Sequence, residues 1–183
     1  MRFGRKSTFE ARFAPISDRL YAYGMALTRD RDAAADLFQD CVVRAISANT
    51  VPIDDRAFRA WLFAIMRNLW IDRLRRDQRA QSFEALLSDD GAGMAQMPMP
   101  LEAVVVNQLA VREAFACLSL QHRDVLALID IAGFRYEEAA DMLGVPKGTV
   151  MSRVSRARQA LLALLADDRV MELPRRKGRI DNE

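Results

Sequence analysis

Residues 133–158, GFRYEEAADMLGVPKGTVMSRVSRAR, constrain the fold of this chain more than any other stretch. The spacing predicts a short helix over 136–143 that ends at Gly144, because glycine takes positive φ without a Cβ penalty. Val145 is expected to fill the turn as a buried plug, and Pro146 suits the first turn of a following helix. The run therefore predicts a helix-turn-helix.

The second helix of this run separates an apolar face from a polar one. At about 100° per residue, one face should pack on the preceding helix, and it carries Val150, Val154, Ala157 and Leu161. The opposite face carries Gly148, Ser152, Ser155, Arg156 and Gln159. No acidic residue occurs from 142 to 166. Such a helix suits phosphates and base edges in a major groove; the alternative is an ordinary amphipathic helix with a solvated basic face.

Bulk composition limits the class of protein. A chain of 183 residues allows one ordinary domain or two small ones. Hydrophobic residues make up 51%, which excludes wholesale disorder. The net charge of +2 is too small to establish nucleic-acid binding. No apolar run reaches the roughly 18 residues of a membrane span, and the N-terminus lacks an apolar signal core, so we expect a cytoplasmic protein without membrane insertion.

The metal-ligating residue types are sparse. The chain has two cysteines, Cys41 and Cys117, and one histidine, His122. A zinc site needs about four ligands at close spacing, so no metal or other cofactor is expected. Both cysteines are expected to be small buried groups, with a redox pair between them as the alternative. His122 is expected to be a polar residue in a turn between helices.

The remaining pattern is helical and divides into two parts. Apolar residues recur at helical spacing over about 9–27, and further helices are expected at about 31–47 and 56–79, with a loop at 49–55. Lys and Arg are absent from 80 to 111, and residues 88–100 contain acidic residues with helix-breaking Gly and Pro. Helical periodicity then resumes at 101.

We therefore expect an all-α fold of two small helical domains. The first covers 1–80 and the second covers 101–166, with a flexible acidic linker at 81–100 and a charged tail at 167–183. Two tethered domains suit two separated contacts on one long ligand, because the first contact raises the effective concentration of the second.

A second basic helix is expected at 58–76, FRAWLFAIMRNLWIDRLRR. Its broad apolar arc lies opposite a narrow polar stripe, which consists of Trp61, Asn68, Asp72, Arg75, Arg76 and Arg79. An aromatic ring beside Asn and Arg can stack on an unpaired base, a contact worth about 1–3 kcal/mol. The alternative is that Trp61 belongs to the core and the stripe is only solvated.

The helix-turn-helix at 133–158 and the basic helix at 58–76 together resemble parts of a known family. Residues 32–46 and 58–76 are similar to the second conserved region of the extracytoplasmic-function (ECF) sigma factors, and residues 118–158 are similar to the fourth. The resemblance covers about 20–80 and 101–165, in the family's order. GFRYEEAAD also looks like the alphaproteobacterial general-stress branch of that family.

The resemblance implies roles for residues of the first domain. Docking on the β′ clamp helices of core RNA polymerase is implied for Asp36, Leu37, Gln39 and Asp40. Recognition of the −10 element on the unpaired non-template strand is implied for Trp61, Asn68, Arg73, Arg75 and Arg76. The loop at 49–55 would shape a pocket for a flipped base.

The second domain would read the −35 element as duplex and meet the polymerase β flap. Contacts facing the groove are implied for Met151, Ser152, Ser155 and Arg156. Phosphate contacts are implied for Lys147, Thr149, Arg153 and Arg158. Met151 and Ser155 stand where several family members have a basic or aromatic residue, which shifts the expected base preference.

The function implied is binding rather than catalysis. The chain would bind core polymerase, direct promoter-specific initiation and stabilise the melted −10 strand, with an anti-sigma factor as a further partner. The main alternative is a dimeric helix-turn-helix regulator that binds an operator without polymerase. An enzyme is not expected, because the sequence shows no nucleophile–base set, phosphate loop or metal cluster.

Overall fold

The computed structural model describes the backbone of residues 3–84 and 103–166. In chain order the helices are α1 Phe3–Thr28, α2 Arg31–Ile46, α3 Asp55–Glu84, α4 Ala103–Cys117, α5 Leu120–Leu126, α6 Tyr136–Leu143 and α7 Lys147–Ala166. A π-helical segment, Ala127–Ile131, continues α5. Within these ranges no strand occurs, and the predicted all-α fold of two domains is confirmed.

The N-terminal domain is built from α1, α2 and α3 around one apolar core. Its fully buried side chains include Leu20, Tyr23, Leu27, Leu37, Cys41, Phe58, Leu62, Phe63 and Met66. Gly24 lies where α1 faces α3, and a Cβ there would make an ordinary van der Waals contact with Met66 Sδ at 3.4 Å. Asp30 caps α2 by accepting a hydrogen bond from the Ala33 amide at 2.7 Å. The core and the cap together fix the relative positions of the three helices.

The C-terminal domain packs α4 and α5 against the α6–α7 pair. Its buried side chains include Leu126, Leu128, Ala139, Val150, Val154 and Ala157. Ser119 caps α5 by accepting a hydrogen bond from the His122 amide. Glu138 accepts a hydrogen bond from the Arg135 amide at 2.8 Å and so fixes the start of α6.

The two domains pack against each other through an interdomain contact that centres on Asp124. Tyr23 Oη donates to Asp124 Oδ1 at 2.8 Å, and Arg67 Nε donates to Asp124 Oδ2 at 2.8 Å. Asp124 is only 9% exposed, so both oxygens are satisfied away from water. Burial, followed by the charge of Asp124, raises the pKa of Tyr23 well above its ordinary value.

An aromatic contact extends the interdomain contact. The rings of Phe63 and Phe134 meet edge to face, with centroids 4.9 Å apart. Arg59 stacks over the Phe134 ring at 4.1 Å and donates a hydrogen bond to the carbonyl of Ala132. Gly133 has a φ of +75°, which lets the chain turn directly after the π-helical segment and present Phe134 to α3.

Several local expectations are corrected by the structure. Helix α1 begins at Phe3 and α3 continues to Glu84, so both exceed their predicted bounds. His122 lies in the first turn of α5 rather than in a turn between helices. Cys41 is buried as expected, but Cys117, the last residue of α4, is exposed. The predicted tail at 167–183 and most of the predicted linker lie outside the described residues.

Candidate nucleic-acid interface

Helices α6 and α7 form the helix-turn-helix that the sequence predicts. Gly144 ends α6 with a φ of 66° in the left-handed region, where glycine has no Cβ penalty. The Val145 amide then donates to the Ala140 carbonyl at 3.1 Å, which satisfies the end of the helix. Val145 is half-buried and packs against the core. The predicted bounds of α6 agree with the observed ones.

The two faces of α7 are divided as the helical wheel predicts. Val150, Val154 and Ala157 are buried, and Leu161 is half-buried against the core. The outward face is exposed and carries Gly148, Met151, Ser152, Ser155, Arg156 and Gln159. The buried face holds α7 on its own domain, so the outward face is presented by a rigid helix.

Of the four cations of α7, two form ion pairs with carboxylates of the described residues and two do not. Lys147 pairs with Glu137, and Arg158 pairs with Asp130 at 2.6 Å. These contacts lower the pKa of Glu137, through the hydrogen bond from Lys147, and raise the pKa of Arg158, through its hydrogen bond to Asp130.

The other two arginines of α7 are differently placed. Within the described ranges neither Arg153 nor Arg156 has a carboxylate within ion-pair distance. Arg156 Nε donates to the Ser152 carbonyl at 3.3 Å, which lays the side chain along the outward face. Arg153 is half-buried, and Thr149, also half-buried, donates its amide to the Pro146 carbonyl at 2.9 Å at the start of α7. The strongest uncompensated positive charge on the exposed face therefore belongs to Arg156.

The polar stripe of α3 is largely exposed. Its exposed members are Asn68, Asp72, Arg75, Arg76 and Arg79. The sequence left open whether Trp61 is a core residue or an exposed ring of the stripe. In the structure it is half-buried: its ring packs against the core, 5.9 Å from that of Phe58, and the rest of it stays accessible. Arg59, Phe63 and Arg67, which meet the other domain, lie on the opposite face of the helix, so the interdomain contact leaves the stripe uncovered.

Arg73 lies apart from the stripe and links two predicted sites. Its guanidinium pairs with Asp40 at 2.6 Å and also reaches the Ala33 carbonyl at 3.4 Å. A residue expected at the −10 strand thus contacts a residue expected at the polymerase.

The residues expected at the polymerase all lie on α2, and they differ in their exposure. Asp36, Gln39 and Asp40 are exposed. Leu37 is 0% exposed and lies in the core. Its side chain is not available to a docking protein in this structure, and its role is corrected to packing.

Sequence reasoning missed the contacts that Arg12 of α1 makes with the segment before α3. Its guanidinium contacts the loop before α3 at Pro52 O (2.9 Å) and Asp54 O (3.1 Å), and it contacts the first residue of α3 at Asp55 Oδ1 (2.8 Å). Arg12 is one of four cations of α1, beside Arg5, Lys6 and Arg19, and its position in an amphipathic helix does not identify a partner more than forty residues away.

A helix-turn-helix with an exposed basic face, joined to a second domain with its own cationic stripe, defines a two-domain DNA-binding protein. Family models agree with this class: the model for sigma-70 region 2 matches residues 13–80, and that for sigma-70, region 4 matches residues 108–161. The chain belongs to the ECF RNA polymerase sigma factors of the sigma-70 family, and it is a polymerase-binding, promoter-directing factor.

Individual relatives support this assignment. The ECF RNA polymerase sigma factor EcfG of Rhodopseudomonas palustris (strain TIE-1) is 34% identical over 149 residues, covering 81% of this chain and 80% of the relative. ECF sigma factor SigL of Mycobacterium tuberculosis (strain ATCC 25618 / H37Rv) is 34% identical over 151 residues, covering 81% and 83%. The similarity to EcfG does not establish a subgroup, so the general-stress branch stays a prediction.

Solved structures show the same architecture. The sigma factor RpoE of Bartonella quintana, solved with the anti-sigma factor NepR, superposes with a TM-score of 0.67 at 28% identity, covering 88% of this chain and 98% of that chain. CnrH, solved with the cytosolic domain of CnrY, gives a TM-score of 0.55 at 27% identity, covering 87% and 86%. None of the helices in the described ranges is long and apolar enough to cross a membrane.

Proposed function

We propose that this factor reads a promoter at two points, the −35 element as duplex through α7 and the −10 element as an unpaired strand through α3. The observation that supports duplex readout best is Arg156. It is exposed on the outward face of α7, and no carboxylate of the described residues lies within ion-pair distance. Arginine in that setting can donate two hydrogen bonds to guanine in the major groove. Met151, Ser152 and Ser155 lie beside it and complete the base-reading surface.

The other cations of α7 are assigned to phosphates. Lys147 and Arg158 are exposed but already paired with Glu137 and Asp130. On DNA they exchange these exposed carboxylates for phosphate oxygens, so their net gain is smaller than that of an unpaired cation. Arg153 and Thr149 lie at the edge of the outward face and complete the phosphate contacts. These contacts fix the register of α7 on the duplex and carry no base preference themselves.

The −10 strand is assigned to the α3 stripe. Trp61 offers part of its ring to an unpaired base, and Asn68, Arg75 and Arg76 offer donors along the same exposed face. Opening duplex DNA costs about 1.4 kcal/mol per base step, whereas stacking on an aromatic side chain returns about 1–3 kcal/mol per base. A few such contacts can therefore hold a short melted segment open. The role is binding, without a catalytic step by this chain.

Reading both elements requires the interdomain contact to open. The −35 and −10 positions are separated by about 25 base pairs, or about 85 Å of B-form duplex. A compact chain of this length has a radius of gyration of about 16 Å and so a diameter of about 40 Å. The packed arrangement cannot span the promoter. We therefore assign it to the free factor and a separated arrangement to the polymerase-bound one.

Polymerase docking is assigned to the exposed polar face of α2. Asp36, Gln39 and Asp40 are available there for the β′ clamp helices, and Arg73 supports Asp40 from α3 through their ion pair. The C-terminal domain is assigned to the β flap, and the factor works where polymerase works, in the cytoplasm. RpoE and CnrH are each solved in complex with a second protein, NepR or the cytosolic domain of CnrY, so an anti-sigma factor is proposed as a further partner.

Run-off transcription tests this function. Purified factor with core polymerase should give transcripts from promoters mapped by transcript starts after overexpression, and core polymerase alone should give none. Specific operator binding by a dimer of the chain, without polymerase and without transcripts, would instead support the helix-turn-helix regulator.

A further inference from the structure

Two arginines from different domains meet at the end of α4. Arg29 lies in the turn after α1, and Arg123 lies on α5. Each donates a hydrogen bond from Nη1 to the carbonyl of Ala116, in both cases at 3.1 Å. Because both nitrogens contact the same oxygen, the two positive charges are close neighbours across the boundary between the domains.

Arg123 is a charged residue in a buried position, since it is only 6% exposed. Buried charges in proteins are ordinarily paired with an opposite charge and hydrogen-bonded. Within the described ranges, however, Arg123 has no carboxylate within ion-pair distance. Its buried Nε also has no hydrogen-bond acceptor there. The Nε edge of the guanidinium is therefore left unsatisfied, although its Nη1 is bonded to Ala116.

The charges at the end of α4 do not balance. The carbonyl end of a helix carries about half a negative charge, which compensates only part of two guanidiniums. Roughly one and a half positive charges remain at this point. Burial, followed by the charge of Arg29, lowers the pKa of Arg123. The two arginines therefore disfavour each other's charge, and an anion between them would stabilise both.

The backbone around Arg29 is fixed, whereas its side chain is not covered. Its φ is +63°, in the left-handed region that residues other than glycine seldom adopt. The Arg29 amide donates to the Met25 carbonyl at 3.0 Å at the end of α1, and Asp30 caps α2 directly afterwards. The side chain itself is exposed, so it forms the outer side of the arginine pair and can move to admit a small ligand.

The class of ligand follows from charge and shape. A guanidinium binds oxyanions through two parallel N–H donors, and phosphate fits this geometry. A phosphate group carries about −1.5 to −2 at neutral pH, which matches the uncompensated charge of the arginine pair. A single carboxylate or a halide, with one negative charge, matches it less well.

We propose that Arg29 and Arg123 form a binding site for a small phosphate-bearing anion, and that the bound anion holds the two domains together. One arginine comes from each domain, so the site is complete only when the domains are packed. The second part of the proposal rests on the assignment of the packed arrangement to the free factor. Since polymerase binding requires the domains to separate, the anion weakens it by thermodynamic linkage.

Isothermal titration calorimetry of the free factor with inorganic phosphate tests the site, with sodium chloride keeping the ionic strength constant. Arg29→Gln should weaken phosphate binding by about tenfold or more, as the loss of a charge-assisted hydrogen bond requires. Arg31→Gln is the matched control, because it removes an equal charge from an exposed residue two positions away and should bind phosphate as the wild type does. Since Arg29 is exposed, its variant is expected to fold and keeps the test decisive even if Arg123→Gln proves unstable.

Pyrophosphate and adenosine diphosphate, titrated in the same way, distinguish a free phosphate ion from a nucleotide as the source of the anion. Binding of any of the three anions that is lost in Arg29→Gln and kept in Arg31→Gln would support the site. Equal weakening in the two variants would show a response to overall charge and would overturn it. The absence of binding by all three anions to the wild type would overturn it as well.

Binding to core polymerase tests whether the anion holds the domains together. Phosphate at ten times its Kd should weaken the affinity of the wild-type factor for core polymerase by about tenfold, whereas the affinity of Arg29→Gln should be nearly unchanged. Equal effects of phosphate on the two proteins would overturn this role. A wild-type factor that binds no core polymerase would instead reject the proposed function, and the titrations of the free factor would still decide the anion site.

Discussion

The outward face of α7 differs in construction from the loop–α3 surface, which consists of the loop at 49–55 and the polar stripe of α3. On α7, every proposed base-reading side chain comes from one helix, and the buried Val150, Val154 and Ala157 hold that helix in place. The loop–α3 surface draws on separate elements, since Arg12 of α1 orders a loop that precedes α3. A rigid helix suffices for a duplex whose shape is already fixed. An unpaired strand has no fixed shape, so its site must supply the order.

The ion pairs of the chain also differ from one another, in this case by their burial. Asp130 and Arg158 form an exposed pair on the C-terminal domain, whereas Asp124 joins Arg67 and Tyr23 inside the interdomain contact. Each contact joins an arginine to an aspartate of α5 or of the π-helical segment that continues it. Because burial differs, their energetic weights should differ strongly.

The largest expected effect comes from Asp124→Ala. Removing one partner of a buried ion pair costs about 3–5 kcal/mol, and here it also leaves Tyr23 Oη without its acceptor. We expect the domains to separate, with a radius of gyration above the roughly 16 Å of a compact chain in small-angle X-ray scattering. Asp130→Ala is the matched control and should cost about 0–1 kcal/mol. Equal scattering curves for the two variants would contradict the weight given to Asp124.

Alkaline pH should also open the interdomain contact through Tyr23. Its pKa is raised in the packed state, mainly by burial, so the stabilisation is complete below the ordinary tyrosine pKa of about 10 and is lost as the pH rises above it. Tyr23→Phe should weaken the contact by about 1.5–3 kcal/mol, the range for a hydrogen bond to a charged group, and should flatten the alkaline dependence. Tyr21→Phe should keep the wild-type profile in the same scattering titration.

Arg156→Ala should weaken −35 recognition by about 1–3 kcal/mol and relax the preference at one base pair. Arg158→Ala should weaken binding more evenly across sequences, because a phosphate contact carries no base information. Competition binding of the holoenzyme to promoters changed at single −35 positions would compare the two. An unchanged −35 profile in Arg156→Ala would remove the groove contact assigned to it.

The smallest expected effect is the contrast between the two cysteines. Burial raises the pKa of Cys41 to about 12, so almost no thiolate is present at neutral pH. Cys117 is exposed, and iodoacetamide followed by peptide mass spectrometry should label it alone in the folded protein. Labelling of Cys41 at a similar rate would show that the N-terminal core opens readily.

Contacts between neighbours on one helix could be predicted from the sequence, and contacts between helices could not. The bounds of α6 and the division of α7 into two faces follow from a period of about 3.6 residues and from Gly144. For Leu37 the family resemblance implies a polymerase contact, whereas its spacing from Ala34 and Cys41 indicates the buried face of α2. In that case the local periodicity was the better guide.

The missed features share one physical cause. Tyr23 and Asp124 are separated by 101 positions, and Arg12 and Asp55 by 43. No single helix contains both members of either pair, so helical periodicity cannot relate them. The pairing of Arg73 with Asp40 is hidden in the same way, because it crosses from α3 to α2. The interdomain contact and the contacts of Arg12 with residues 52–55 could therefore be found only from the three-dimensional structure.

Run-off transcription from a promoter library randomised at both the −35 and −10 elements tests the two-point account most directly. We predict that Arg156→Ala changes the selected −35 sequences and leaves the −10 sequences as in the wild type. Asn68→Ala, on an exposed residue of the α3 stripe, should do the reverse. If either variant changes both profiles equally, or if neither changes any, the assignment of separate elements to α7 and to the loop–α3 surface is contradicted.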